Sequence, residues 1–257
     1  MFSVSNLSEL IQSTTVGYRL ALRVKHGARA PVSRPSIPWV NTALKRPEEV
    51  QASLDLVKQL GLPPVPDESK NWDCLAALGQ VLARDDREAR VFDAGGETYS
   101  MILPWLFLYG YKHLVAGNIV FQRSRNKGPI KYIHSDITRT SFLDESFDAV
   151  TCLSVIEHGV NLPAYFKEMS RILKPGGLLF TSTDYFETPI DTKGQIAYGV
   201  PIHIFSKAEI ETALSIAKQY GFEPSSPIDL TTEEKVVHWS RYDLHYTFLN
   251  FCLTKTI

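Results

Sequence analysis

The sequence predicts an α/β fold built on a doubly wound, mainly parallel sheet, and three observations carry that prediction. Val91-Phe92-Asp93-Ala94-Gly95-Gly96 runs two apolar β-formers into an acid and then a glycine pair, the pattern of a strand that ends in a tight turn where another group can approach the main chain. Downstream of it, strand-like and helix-like segments alternate, as they do in parallel sheets covered by helices. Residues 147–154 (Phe-Asp-Ala-Val-Thr-Cys-Leu-Ser) form a nearly continuous apolar run, as expected of a central strand buried on both faces.

The elements follow in order. Residues 89–94 are the first strand. A helix is expected over 100–110, with Ser100 as its cap and Pro104 tolerated in its first turn. Residues 112–121 contain the second strand, 131–134 the third and 147–154 the fourth. A helix over 162–173 is closed by Lys174-Pro175-Gly176-Gly177, and 178–182 is the fifth strand. Ser206-Lys207-Ala208-Glu209 is a capping box that opens a helix to Tyr220, with Gly221 where a C′ glycine belongs. Residues 246–253, rich in aromatic and β-branched types, are the last strand. The first 70 residues differ. They read as a helix over 7–22, an extended arm over 29–38 holding three prolines and two arginines, and a helix over 48–60. Gly61 and the linker Pro63-Pro64-Val65-Pro66 end that helix. Residues 1–70 are therefore expected to be an extension packed on a core formed by 71–257.

Composition narrows the function classes. A chain of 257 residues with 44% hydrophobic and 21% charged residues suits one large soluble domain with an appendage. A net charge of −1 argues against a dedicated nucleic-acid binder, which carries a basic excess. Cys74, Cys152 and Cys252 are scattered and odd in number, so they propose neither a disulfide framework nor a metal cluster, and they fit a reducing compartment. Residues 1–10 lack the basic and apolar regions of a secretory signal. The apolar run 101–109 is interrupted by Pro104 and is too short to span a bilayer. A cytoplasmic protein with no membrane or nucleic-acid partner and no bound metal is expected.

Five motifs stand in register along the chain: Phe92-Asp93-Ala94-Gly95-Gly96, Ser135-Asp136-Ile137, the run 142–150, Ser154-Val155-Ile156-Glu157-His158, and Leu173-Lys174-Pro175-Gly176-Gly177. Taken together they resemble the class I S-adenosylmethionine-dependent methyltransferases, strongly over 88–185 and more loosely to the C-terminus. The resemblance implies a seven-stranded Rossmann-like sheet with a reversed last strand, in which 222–230 and 246–253 pair antiparallel. It also implies S-adenosyl-L-methionine as cofactor and makes 71–257 the methyltransferase domain.

Carried over residue by residue, the resemblance places Asp93, Gly95 and Gly96 at the methionine end of the cofactor. Asp136 and the Ile137 N–H would face the adenine, and Ser154 would follow the fourth strand. The chain departs from the family where Glu97 and Tyr99 replace the second and third glycines of the turn, and where the second strand ends in Asn118 without the acid that grips the ribose. Asn118 can still offer its amide to a hydroxyl, and Glu97 either meets the cofactor's ammonium or favours a helix N-terminus. Asp93 and Asp136 have plainer alternatives, as a turn brace and as a turn aspartate.

His158 and Asp184 are the candidate catalytic groups. A histidine at the mouth of the sheet can serve as a general base because its ordinary pKa lies near neutrality, or it can simply pack there. Tyr185 and His203 could reach the same space. His238, Trp239, Tyr242, His245 and Tyr246 could form a wall for a sugar or planar acceptor, or pack the closing strand. Arg19, Arg23, Lys25, Arg29 and Arg34 could hold a phosphate or remain solvated. The expected activity is methyl transfer to a small polar acceptor at oxygen or nitrogen, a saccharide among the candidates; oligomeric state is left open. One alternative is a non-catalytic scaffold or partner subunit of the same fold. The other is a nicotinamide-dependent oxidoreductase, disfavoured by the lack of Gly-x-Gly-x-x-Gly.

Overall fold

The computed structural model describes residues 9–31 and 33–256. Its centre is a ten-stranded sheet. The parallel strands are β2 (Arg90–Ala94), β3 (His113–Asn118), β5 (Ile130–His134), β6 (Phe147–Leu153) and β7 (Leu173–Tyr185). They lie in the order β7-β6-β2-β3-β5, and the chain reverses direction across β2, so the ends of β2 and β6 open the crevice where such sheets take ligands. β12 (Leu244–Lys255) runs antiparallel beside β7, and β10 (Phe222–Pro224) pairs antiparallel with β12. These are the seven expected strands with a reversed last strand. Three short additions complete the sheet: β1 (Thr42–Ala43) and β11 (Val237–Trp239), both on β12, and β4 (Arg125–Lys127) on β5.

Helices cover both faces. α3 (Lys70–Ala83) and α4 (Ile102–Leu108) pack on one side, and α5 (Leu162–Ile172) and α6 (Lys207–Gln219) on the other. Trp72, Trp105 and Tyr111 are fully buried in the first layer, and Phe147, Tyr165 and Phe166 in the second. Removing a buried aromatic of this kind typically costs about 3–5 kcal/mol. α5 starts where the Asn161 side chain accepts from the Ala164 N–H, and α6 starts on the expected capping box, with Glu209 accepting from the Ser206 N–H at 2.8 Å. Gly221 follows α6 with φ +81°.

Three expectations need correcting. Ser100 does not cap α4: its hydroxyl accepts from the Glu97 N–H, and the helix begins at Ile102. The fifth strand does not wait until residue 178: Leu173 is already extended (ψ 141°), and β7 begins there and runs through the Lys-Pro-Gly-Gly segment that ends α5. The helix expected over 7–22 begins at Leu7 and Ser8, outside the described residues, and it is interrupted. The Ser13 and Thr14 hydroxyls donate to the Leu10 and Ile11 carbonyls, which competes with the helix ladder. α1 (Thr15–His26) then starts afresh on the Thr14 cap.

The segment before α3 is tied to the core. Asn41 donates its N–H to the Asn250 side chain and accepts from the Cys252 N–H, which fixes β1 on β12. α2 (Pro47–Gln59) packs on α3, and the Trp39 indole donates to the Trp72 carbonyl. Among the described residues no helix is long and apolar enough to cross a membrane.

Candidate active site

The glycine turn after β2 is shaped by contact. Gly95 has φ +83°, and a Cβ there would lie 2.5 Å from a Val155 methyl; one at Gly96 would lie 2.1 Å from Asp93 Oδ2. Both positions therefore require glycine, on conformational and steric grounds. The N–H groups of the turn are already engaged within the protein. Gly95 donates to the Gly117 carbonyl, Gly96 to that of Asp93, and Glu97 to Ser100 Oγ. The cradle comes from missing side chains rather than free donors.

Asp93 is 2% exposed, and Thr151 Oγ1 of β6 donates to its Oδ1 at 2.7 Å. Burial pushes its carboxyl up to about 7, opposed by the Thr151 bond. Asn118, ending β3, donates from its amide to the Gly95 carbonyl at 2.7 Å and accepts from the Val120 N–H. It thus braces the glycine turn from the neighbouring strand. The half-buried Glu97 turns one carboxylate oxygen to the Thr98 N–H at 3.3 Å.

At the end of β5, Asp136 is exposed, and its Oδ1 accepts from both the N–H and the hydroxyl of Thr138. This is the Asx turn of the plainer alternative. Two groups beside it are unpaired: among the described residues the Ile137 N–H has no hydrogen-bond partner, and the Ser135 hydroxyl is buried with none. Buried polar groups left in this way are rare in native proteins.

The mouth between β6 and β7 holds a charged cluster. Ser154 ends β6 at φ +53°, strained for a residue with a side chain, and its hydroxyl accepts from Lys70 Nζ of α3. Three carboxyls gather around that ammonium: Asp73, Glu157 and Asp184, none more than 5% exposed. Ser182 Oγ donates to Asp73 at 2.6 Å and Thr183 Oγ1 to Glu157 at 3.0 Å, while Tyr246 lies beside Asp184. Burial raises all three carboxyls. The Glu157 charge raises Asp184 further, while Lys70 opposes the shift in each. One ammonium cannot neutralise three carboxylates in a dry site, so protons are retained there toward neutral pH.

Half-buried His158 is held below its ordinary pKa by desolvation, against the pull of the Asp184 carboxylate. Its ring meets Tyr198 edge-on at 5.4 Å. Tyr198 and Gly199 form the two-residue turn of the β8 (Ile196–Ala197) and β9 (Val200–Pro201) hairpin, with φ +53° and +83°, as such turns require. Tyr198 stacks on Trp239, and Trp239 meets Tyr242 edge-on at 4.6 Å. An aromatic row thus leads outward from His158.

The structure thus gathers Asp93, Gly95, Gly96, Asn118, Asp136, Ile137 and Ser154 at the carboxyl ends of successive strands, and His158 with Asp184 at the adjoining mouth. Tyr185 turns away, its hydroxyl donating to the Leu230 carbonyl, and His203 pairs with Glu209 at 3.3 Å. The basic residues are dispersed: Arg19 lies over the Phe107 ring, and Arg34 pairs with Asp85. Lys70, Asp73 and Tyr198 are site residues that the sequence reading missed. A cleft of about 440 Å³ bordered by Arg90, Lys112, His113 and Asp148 lies at the amino ends of the strands, the edge opposite to that used by ligands of this sheet type.

Comparison with known proteins places this site in context. Residues 113–181 match a family model described as a methyltransferase domain. The sterol 24-C-methyltransferase of Candida albicans is 30% identical over 134 residues, covering 49% of this chain and 34% of the relative. The chain thus aligns with about a third of the length of its curated relatives. Among solved structures, the 1,6-didemethyltoxoflavin-N1-methyltransferase of Burkholderia thailandensis, solved with 1,6-didemethyltoxoflavin and S-adenosylhomocysteine, superposes with a TM-score of 0.51. It is 18% identical, over 88% of this chain and 94% of the other. The [4+2]-cyclase SpnF superposes at 0.53 with 14% identity, over 82% and 94%. These likenesses establish the fold, and the fold hosts more than one reaction.

Proposed function

We propose, from the premise that the chain belongs to the class I S-adenosylmethionine-dependent methyltransferase family, that it transfers the cofactor's methyl group to a small polar acceptor through a protic oxygen or nitrogen. The observation that carries the proposal is the meeting of two half-sites. A cradle of missing side chains at Gly95 and Gly96 touches Val155, and Val155 leads directly to Glu157 and His158.

The residues present fit the cofactor. The unpartnered Ser135 hydroxyl and Ile137 N–H, with exposed Asp136, suit the adenine end. Asn118 retains a second amide hydrogen for a ribose hydroxyl, and the Asp93 carboxyl under Gly96 suits the ammonium end. When bound, the cofactor supplies an electrophilic methyl group, so the chain's task is alignment and exclusion of water.

His158 is the base of this reading. With its pKa lowered it is neutral at pH 7 and can take a proton from an acceptor O–H or N–H. Asp184 then stabilises the resulting imidazolium. Tyr198, Trp239 and Tyr242 offer ring faces to a saccharide or a flat heterocycle. The sterol acceptor named for the Candida relative is the contrasting class. The N-terminal 1–70 are read as an extension to a methyltransferase domain over 71–257, in the cytoplasm.

The test is release of S-adenosylhomocysteine from S-adenosylmethionine in the presence of panels of amines, sugars and sterols. The proposal expects acceptor-dependent release that falls sharply in His158→Gln. Tight cofactor binding with no turnover on any panel would favour the scaffold reading, and turnover on sterols alone would overturn the polar acceptor.

A further inference from the structure

The sequence offers no metal-binding spacing, yet the hairpin that closes the sheet brings three donors together. His238 of β11 and His245 of β12 are direct cross-strand partners, and their rings stack at 4.1 Å with 4° between planes. The chain turns between them through Asp243 at φ +51°, which aims its carboxylate at both. His238 Nε2 lies 3.5 Å and His245 Nε2 3.9 Å from Asp243 Oδ1. Each residue offers a ligand atom, and the three atoms lie within 4.8 Å of one another. Among the described residues, no other group of three or more histidine, cysteine or acidic side chains converges in this way.

We propose that His238, Asp243 and His245 bind a divalent transition ion of the zinc class. Zinc holds imidazole nitrogen and carboxylate oxygen at about 2.0–2.2 Å, so its ligand atoms stand roughly 3–3.5 Å apart. The two histidine–aspartate separations need to close by only some tenths of an ångström, while the two stacked rings must tilt out of parallel so that both nitrogen lone pairs meet one ion; all three side chains are exposed and have room to do so. Two imidazoles and one carboxylate suit zinc, nickel or copper better than calcium or magnesium, which prefer oxygen. Ordinary surface ion pairing is a weaker account. Two protonated imidazoles would repel at this distance, and among the described residues Asp243 makes no ion pair with lysine or arginine. Three protein ligands leave positions for water or a ligand atom.

The position gives such a site a consequence. Trp239 follows His238 directly and Tyr242 precedes Asp243, so an ion bridging β11 and β12 would fasten the aromatic row that runs out from His158.

Calorimetric titration of the untagged full chain with zinc chloride at pH 7.5, alongside thermal unfolding, tests the proposal. One zinc per chain and a raised unfolding temperature are expected. Loss of an outer metal partner alone costs 10–100-fold in affinity, so His238→Ala and His245→Ala should each weaken binding by at least about tenfold. His113→Ala should bind as the parent does. The three positions are exposed, so the variants should keep the parent's circular dichroism. Absence of saturable binding up to millimolar zinc, or equal affinity in His238→Ala/His245→Ala, would overturn the site.

Discussion

Lys70 Nζ stands 3.9 Å from Asp184 Oδ1 and 3.7 Å from the centre of the Phe248 ring. An ammonium from the helix before the first core strand thereby faces the carboxyl at the end of the fifth. Asp73 and Glu157 face the same cation, so the mouth of the sheet is a shared electrostatic unit rather than a set of separate side chains.

That sharing makes Lys70→Met a pH-dependent lesion. Removing one partner of a fully buried ion pair costs 3–5 kcal/mol. Lys70 keeps 23% of its side chain exposed, so roughly 1–3 kcal/mol is expected at pH 8. At pH 5 the raised carboxyls hold their protons and the loss should be much smaller. Urea unfolding at the two pH values checks this, and an equal loss at both would show that the lysine acts through packing alone.

Asp93 gives a second pH signature. Its folded pKa, about 7, lies above its unfolded value of 3.8. The folded state therefore binds the proton more tightly, and the stabilisation is complete below pH 4. It is lost as pH rises to 7, with a limiting slope near 1.4 kcal/mol per pH unit. Asp93→Asn keeps an acceptor for Thr151 and should flatten this limb between pH 4 and 7. An unchanged slope in the variant would assign it to the Asp73, Glu157 and Asp184 group.

Gly96→Ala should be costly out of proportion to one methyl group. The added Cβ would sit 2.1 Å from Asp93 Oδ2, and the carboxylate is pinned by Thr151. Overpacking of this kind costs typically 1–3 kcal/mol. Denaturant unfolding of Gly96→Ala beside Asp93→Gly/Gly96→Ala separates the clash from other effects, because the double variant should recover part of the loss.

The sequence reading succeeds where local chemistry decides the structure. β6 is legible from the nearly continuous apolar run 147–153, α6 from Ser206 and Glu209, and the turn after β2 from its glycines. α3 is not legible, because residues 71–78 are buried all round and so lack the 3.6-residue alternation that marks a half-exposed helix. With α3 go Lys70 and Asp73, although a lone carboxylate inside Trp72-Asp73-Cys74-Leu75 is itself a signal of a buried polar contact. Asn118 shows a different limit. Its residue type allows a ribose contact, but only the fold reveals that its amide is already bracing Gly95. Ser100 fails as a cap because its hydroxyl is taken by the Glu97 N–H, four residues before the N-cap Met101 of α4.

Binding of S-adenosylhomocysteine, measured by isothermal titration, tests the central claim most directly. The account predicts saturable binding of one molecule per chain, and loss of one adenine hydrogen bond in Asp136→Ala should weaken it by about 1 kcal/mol, several-fold in affinity. No heat and no thermal shift at millimolar ligand would contradict it.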